Sequence, residues 1–168
     1  MSQRTHLTLP DGAAVVVRPL EPADRADLEA AVARLSDTTR YLRFAGPKPR
    51  LTKADLDRLL DLDHHDREAL LAIDRATGQG VAVARYVRLP DDDGVAELAI
   101  TVADAWQGRG LGGALTDLLV ERARDEGLRS LRAVTLGENR RAQNMLVRGG
   151  FRATGAGGLL VGYELGLA

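Results

Sequence analysis

The spacing of apolar residues along the chain predicts strands and helices in succession. Apolar runs at Leu7–Leu9 and Ala13–Arg18 flank a Pro-Asp-Gly turn at positions 10–12, which predicts an opening β-hairpin. Apolar residues at helical spacing after Pro22 predict an amphipathic helix, and Ser36–Phe44 is expected to form a short helix or a turn. The first part of the chain is therefore a hairpin followed by helices.

Further along, a loop is expected over Gly46–Pro49, and Thr52 is expected to cap the next helix. The strand predicted over Val95–Val102 is almost wholly apolar, so it should be central and covered on both faces. The other predicted elements are strands at Ala69–Ile73, Val81–Val87, Leu131–Leu136, Phe151–Thr154 and Leu159–Leu165, and helices at Leu111–Ala123 and Asn139–Arg148. This order predicts a mixed α/β (α+β) domain with helices on both faces of its sheet.

Length and composition narrow the class of protein. The 168 residues suit one domain, and 45% apolar against 4% aromatic residues indicates an aliphatic core. A net charge of −1 argues against general nucleic-acid binding, and the lack of cysteine excludes disulfides, thiolate metal ligands and a cysteine nucleophile. The N-terminus lacks the apolar core of a signal peptide, and no apolar run approaches the ~18 residues of a membrane span. We therefore expect a soluble cytoplasmic protein with no membrane partner.

The segment Gln107–Gly113 (QGRGLGG) lies between a predicted strand and a predicted helix. Free N–H groups at a helix N-terminus, together with the helix dipole, attract phosphate, and glycine lets the backbone approach its oxygens closely. A dinucleotide fingerprint fits the spacing, but this loop follows the fifth strand and no acid stands about 20 residues later. A P-loop is excluded because its motif needs Lys-Ser/Thr after the last glycine, and this sequence has Ala114-Leu115 there. A glycine-rich connection without a ligand is the remaining alternative.

The segment from Gln107 to Gly112 resembles the Q/R-x-x-G-x-G/A motif of the GNAT superfamily of N-acetyltransferases. The preceding AELAITV and the later ENRRAQNMLVRGGF extend the resemblance over residues 68–168. The resemblance implies a single GNAT-like domain whose central mixed sheet is mostly antiparallel and splayed. It also implies acetyl-CoA as the co-substrate, with no metal. Residues 68–168 would be the cofactor-binding core and residues 1–67 the acceptor side of a single domain.

The same resemblance implies which residues meet acetyl-CoA. The loop that meets the pyrophosphate, mainly through backbone N–H groups, would comprise Gln107, Gly108, Arg109, Gly110, Leu111, Gly112 and Gly113. Ile100 and Val102 match the strand positions whose backbone pairs with pantetheine. Asn139 matches a residue that contacts pantetheine, although an asparagine there also suits a helix N-cap.

Acetyl transfer to an amine needs a base, because an ammonium of pKa about 10.4 must first lose a proton. Glu97 is the only acid within Val95–Val102, and it matches the general-base glutamate of GNAT protein-lysine acetyltransferases. Burial among apolar residues would raise its pKa towards the working pH. The alternative is a structural glutamate bonded to Arg85 or to a backbone amide. With no cysteine, direct attack within a ternary complex is the simplest mechanism.

Leu146 marks a departure from the family pattern, because many members have a tyrosine there as general acid for the CoA thiolate. The segment 36–60 resembles bacterial protein-lysine acetyltransferases, which also tend to lack that tyrosine, so a protein lysine is the expected acceptor. A small amine remains an alternative, as does a non-catalytic acyl-CoA-binding module. His64-His65 does not match known zinc spacings and is expected to lie in an exposed polar turn, and Trp106 is expected to be a packing anchor. The oligomeric state stays open.

Overall fold

The computed structural model describes residues 3–44 and 50–167, and the loop expected over Gly46–Pro49 lies outside these ranges. The strands are Thr5–Thr8 (β1), Ala14–Pro19 (β2), Arg67–Asp74 (β3), Gly80–Leu89 (β4), Asp92–Val102 (β5), Ser130–Leu136 (β6), Arg152–Gly157 (β7) and Leu160–Gly166 (β8). The helices are Arg25–Ala33 (α1), Asp37–Phe44 (α2), Lys53–Leu60 (α3), Leu111–Asp125 (α4) and Arg140–Arg148 (α5), with 3-10 turns at Pro22–Asp24 and Asp104–Trp106. The order of elements is the predicted one.

The eight strands form one sheet in the order β1-β2-β3-β4-β5-β6-β8-β7. Every neighbouring pair is antiparallel except β5 and β6, which run parallel. That pair is joined by α4, as a parallel connection requires a crossover. The predicted α/β class with a mostly antiparallel sheet is confirmed.

Helices cover both faces of the sheet and create two apolar cores. The core beneath α4 and α5 contains the even-numbered side chains of β4 and β5, such as Ala84 and Leu98. The core beneath α1 and α3 contains side chains of β3, such as Leu71, against Leu28 and Leu56. Because successive side chains of a strand point to opposite faces, each face of β5 meets a different set of helices.

The parallel pair β5–β6 is short, and this opens the sheet. Only Val95, Ala96 and Glu97 of β5 pair with β6, although β5 continues to Val102. Beyond Arg132, β6 is paired along its other edge with β8. The two strands therefore separate after Glu97, which produces the predicted splay and leaves one edge of β5 open.

Local signals in the sequence place several element ends. Thr52 caps α3 through a capping box with Asp55, with 3.1 Å from Asp55 N to Thr52 Oγ1 and 2.8 Å from Thr52 N to the Asp55 carboxylate. The predicted hairpin forms, and the segment from Ser36 becomes a helix rather than a turn. Across the described residues, no helix is both long and apolar enough to cross a membrane.

Candidate active site

The glycine loop turns the chain from the end of β5 into α4. Gly108 has φ +73° and Gly110, the N-cap of α4, has φ +90°. These values lie in the left-handed region, which costs residues with a Cβ about 1–2 kcal/mol each. Glycine at these two positions lets the loop adopt a conformation that presents its backbone outwards.

The backbone N–H groups of residues 108–113 are free in the described structure. Along α4, Ala114 is the first residue whose N–H finds a backbone acceptor, the Gly110 carbonyl at 3.2 Å. Six consecutive donors at a helix N-terminus add to the partial positive charge of the helix dipole. The loop therefore has the geometry of an anion-binding site, as the glycine pattern predicted.

The Gln107 side chain braces this loop. Its amide donates to the Val102 carbonyl at 3.0 Å and to Thr39 Oγ1 at 3.1 Å, and its oxygen accepts from Arg141 at 2.7 Å. It thus ties the end of β5 to α2 and α5. The side-chain amide of Gln107 therefore uses both its N–H groups and its oxygen in bonds within the protein, rather than for a ligand.

Asp104 makes a second connection between the loop and α2. Its carboxylate accepts from the Ser36 N–H and from Thr39 Oγ1, each at 3.2 Å. Although burial opposes the effect, these hydrogen bonds leave the pKa of Asp104 below its usual value. The N-terminus of α2 is therefore held against the segment that precedes the glycine loop.

The Arg109 side chain turns away from the helix N-terminus. Its Nε lies 2.6 Å from an Asp11 carboxylate oxygen, and its guanidinium stacks over the Trp106 ring at 4.2 Å. Trp106 itself packs against the larger core, as a packing anchor is expected to do. Arg109 thus contributes its backbone N–H to the free cluster, while its side chain links the loop to the β1–β2 turn.

The open edge of β5 presents the backbone of Ile100 and Val102. Ala103 N–H donates to the Val81 carbonyl of β4 at 2.8 Å, so in this antiparallel pair the odd-numbered residues bond to β4. The N–H and C=O groups of Ile100 and Val102 therefore point towards the gap left by β6. Of these, the Val102 carbonyl is already taken by Gln107.

Asn139 begins α5 on the other side of the gap. Its Oδ1 accepts from the Ala142 N–H at 3.2 Å, so the side chain is an N-cap. Gln143 fixes the preceding turn by donating to the carbonyls of Leu136 and Gly137, at 3.1 and 2.9 Å. The cap uses the oxygen of Asn139 and leaves its amide N–H groups for other contacts.

Glu97 is where the structure corrects the sequence analysis. Val95–Val102 was expected to be covered on both faces, yet the Glu97 side chain is exposed. Within the described residues it forms no salt bridge or hydrogen bond, so the alternative of a structural glutamate bonded to Arg85 or a backbone amide is also not met. Glu97 is instead the last β5 residue paired with β6, opposite Arg132, so it stands where the strands begin to separate.

Leu146 stands where the resembled family often has a tyrosine, and its side chain cannot donate a proton. It is 1% exposed and packs in the larger core. Tyr86 donates to the His65 carbonyl at 3.2 Å, and burial, assisted by the charge of Glu68, raises its pKa to about 12. Tyr163 on β8 is also buried.

A buried ion network around Glu68 escaped the sequence analysis. The Glu68 carboxylate, 1% exposed, accepts from Arg122 at 2.9 Å and lies 2.7 Å from His64 Nδ1, so His64 is not in a merely exposed polar turn. His65 contacts Glu126 in the same region. Among the residues that the structure describes, no cluster of His, Cys, Asp and Glu is arranged to hold a metal.

The sequence analysis also did not predict that Arg43 and Arg85 share one cavity. Both line a cavity of about 340 Å³ between α1, α2 and the sheet face that carries Glu97. The available signal was the charge of Arg85 within the apolar run Val81–Val87, which is the same kind of signal that singled out Glu97. Arg43 lies on α2, and only the fold brings it to the same cavity.

Comparisons with known proteins agree with this geometry. The model of the acetyltransferase (GNAT) domain family matches residues 14–152. Acetyltransferase PA5475 of Pseudomonas aeruginosa is 34% identical over 146 residues, which cover 86% of this chain and 78% of that protein. The solved GNAT domain of S. lividans PAT superposes with a TM-score of 0.91, at 31% identity over 97% of this chain and 96% of that one. Acetyltransferase Pat of Mycolicibacterium smegmatis is 31% identical over 132 residues, but this chain spans only 39% of its length.

Proposed function

This chain belongs to the GNAT family of acetyltransferases, and from that membership we propose that it transfers an acetyl group from acetyl-CoA to a primary amine, foremost a protein lysine. The observation that carries the proposal is the row of six free N–H groups at residues 108–113 beside the open edge of β5. We assign residues 68–168 to the cofactor-binding core and residues 1–67 to the acceptor side of one domain.

The loop fits the pyrophosphate of acetyl-CoA. The N–H groups of Gly108, Arg109, Gly110, Leu111, Gly112 and Gly113 would donate to its oxygens, assisted by the α4 dipole. Gln107 would contribute by holding the loop in place, because its side chain is bonded to three other elements. We propose no metal at this site, and the N–H donors would stabilise the phosphate charge by hydrogen bonding.

The gap between β5 and β6 fits the pantetheine arm. The backbone of Ile100 and the N–H of Val102 face this gap, and the Asn139 amide lies across it at the start of α5. Strand N–H groups directed at a carbonyl oxygen stabilise the negative charge that develops there during transfer. Acetyl-CoA supplies the reactive thioester, and these backbone groups would position and polarise it.

Glu97 is the proposed general base. Its place at the apex of the splay puts a carboxylate beside the opening through which an amine must reach the thioester. Because the Glu97 side chain is exposed, the proposed role rests on its position at the splay. The carboxylate would take the proton from the ammonium, directly or through water, so that the neutral amine attacks the thioester in a ternary complex. Leu146 offers no proton, so the thiolate would leave without a donor from that position.

A protein lysine is the proposed acceptor, because segment 36–60 and the strand REALLAI resemble bacterial protein-lysine acetyltransferases. The similarity to the GNAT domain of S. lividans PAT supports the same choice. A small amine is the second candidate, favoured by the cavity of about 340 Å³ beside α1 and α2. No regulation is carried over from Pat, since this chain spans only 39% of that protein.

Mass spectrometry after incubation with acetyl-CoA and cell extract tests this function. We expect discrete lysine acetylation that Glu97→Gln reduces about 10²–10⁴-fold, the usual contribution of a general base, without loss of acetyl-CoA affinity. Glu121→Gln is the matched control, because Glu121 is exposed on α4. Products confined to small amines would refute the lysine acceptor. Binding of acetyl-CoA with no acetylation across a broad amine panel would instead support a non-catalytic acyl-CoA-binding module.

A further inference from the structure

The cavity between α1, α2 and the sheet has an apolar wall and three arginines along its lining. Its volume is about 340 Å³. Leu28, Val32 and Val83 contribute apolar surface, and Trp106 brings the cavity next to the glycine loop. Arg34 is exposed at the end of α1, whereas Arg43 of α2 and Arg85 of β4 line the cavity between the helices and the sheet.

Arg85 is 8% exposed, and one of its guanidinium nitrogens donates to the Leu59 carbonyl at 3.2 Å. In residues 3–44 and 50–167, no carboxylate lies within ion-pair distance of Arg85 or Arg43. Burial lowers the pKa of Arg85 to about 10, and the charges of Arg43 and Arg58 contribute to the same shift. Two cations that line one cavity without an ion-pair partner are costly unless an anion joins them.

The carboxylates that line the cavity are engaged elsewhere or lie at its rim. Asp24 pairs with Arg18 at 2.7 Å, and Asp104 accepts from the N-terminal segment of α2. Asp27 is exposed on α1. Among the described residues, none of these three carboxylates forms an ion pair with Arg43 or Arg85.

The arginine pair lies close to the proposed general base. Arg85 is paired with Ala99 of β5, and Glu97 is two residues earlier on the same face of that strand. At about 3.3 Å per residue, Glu97 and the position opposite Arg85 are roughly 7 Å apart along the strand. The positive charge of Arg43 lies within electrostatic range of Glu97 as well.

We propose that this cavity is an acceptor subsite, in which Arg43 and Arg85 bind a carboxylate carried a few ångströms from the nucleophilic nitrogen. The inference rests on the proposed acetyltransferase function and adds a substrate class to it. The carboxylate can belong to a free amino acid or to an acidic side chain next to a lysine in a peptide. In both cases a bidentate arginine–carboxylate contact would orient the amine towards Glu97.

The test compares acceptors that differ only in this charge. The small pair is 4-aminobutyrate and 4-aminobutyramide, and the peptide pair carries Glu or Gln beside a single lysine. We expect the wild type to prefer the carboxylate of at least one pair by about tenfold or more in kcat/KM, the usual effect of a hydrogen bond to a charged group. Arg43→Gln and Arg85→Gln should each reduce the preference to about threefold or less, whereas Arg75→Gln, in the exposed β3–β4 turn, should keep it.

Each outcome decides the inference. If the enzyme prefers the carboxylate only in the peptide pair, the bound group is an acidic side chain beside a lysine. If it prefers the carboxylate only in the small pair, the bound group belongs to a free amino acid. Equal use of both members of both pairs, or a preference that both substitutions leave intact, would overturn it. If no amine is acetylated, the proposed function fails, but the subsite is still tested by thermal shift. A rise in Tm with 4-aminobutyrate, absent with the amide and absent in Arg85→Gln, supports the subsite, and no rise in the wild type refutes it.

Discussion

Gly110→Ala tests whether the glycine loop binds through its backbone conformation. Gly110 has φ +90°, and an alanine there would lose about 1–2 kcal/mol by adopting the left-handed region. A Cβ at Gly110 would meet only Pro10, at 3.6 Å from its Cδ, so backbone strain and not a clash dominates. For a domain of this size, each kcal/mol lowers Tm by about 2–4 °C, so we expect a fall of roughly 2–8 °C.

The effect on ligand binding follows from the same geometry. If the strained loop relaxes, one or two N–H donors at positions 108–113 move out of reach of the pyrophosphate. A hydrogen bond to a charged group contributes about 1.5–3 kcal/mol, so the loss of one donor should raise the Kd for CoA about 10- to 150-fold, and the loss of two should raise it further. Isothermal titration calorimetry on the folded variant, below its lowered Tm, measures this change.

Gly113→Ala is the matched comparison for stability. Gly113 lies in the first turn of α4 with no positive φ, and nothing stands within 4 Å of an added Cβ. Alanine there should raise stability by about 0.5–1 kcal/mol through helix propensity, the opposite sign to Gly110→Ala.

Acetyl-pantetheine, which lacks the pyrophosphate, separates the loop from the rest of the site. Gly110→Ala should bind it as the wild type does. A folded Gly110→Ala protein with unchanged CoA affinity, or with equal losses for CoA and acetyl-pantetheine, would refute the assignment of this loop to the pyrophosphate.

Two further predictions concern stability. Glu68→Gln should lower the free energy of unfolding by about 1.5–3 kcal/mol, because Arg122 loses its buried carboxylate partner and keeps only Glu126, at 3.3 Å. Chemical denaturation measures this loss, and a loss no larger than that of Glu126→Gln, near the surface, would contradict the prediction. Hydrogen bonds from Arg18 hold the pKa of Asp24 below its usual value, so the contribution of Asp24 is present above about pH 4 and is lost as the pH falls through the lowered pKa. The free energy of unfolding should therefore fall less between about pH 5 and pH 2 in Arg18→Gln than in the wild type, and parallel curves would refute the pairing.

Local signals in the sequence predicted most of the fold. The turn at positions 10–12, the capping box at Thr52 and the strand–glycine–helix order around Gly110 each lie within a few residues, and each recurs in the structure. Glu97 shows where this reasoning failed. An apolar run predicts two covered faces, but the exposure of one position depends on which helices reach it, and the helices on that face leave Glu97 open.

The features of the candidate site also fall into two groups, those that the local sequence determines and those that depend on packing. The sequence by itself determined the glycine loop, because φ > 0 and free N–H groups at a helix start are properties of consecutive residues. The tertiary structure decided the hydrogen bonds of Gln107 to three elements, the splay after Glu97 and the placement of Arg43 and Arg85 in one cavity. These contacts join residues that are far apart in the chain, and their formation depends on how helices and strands pack, which no local pattern encodes.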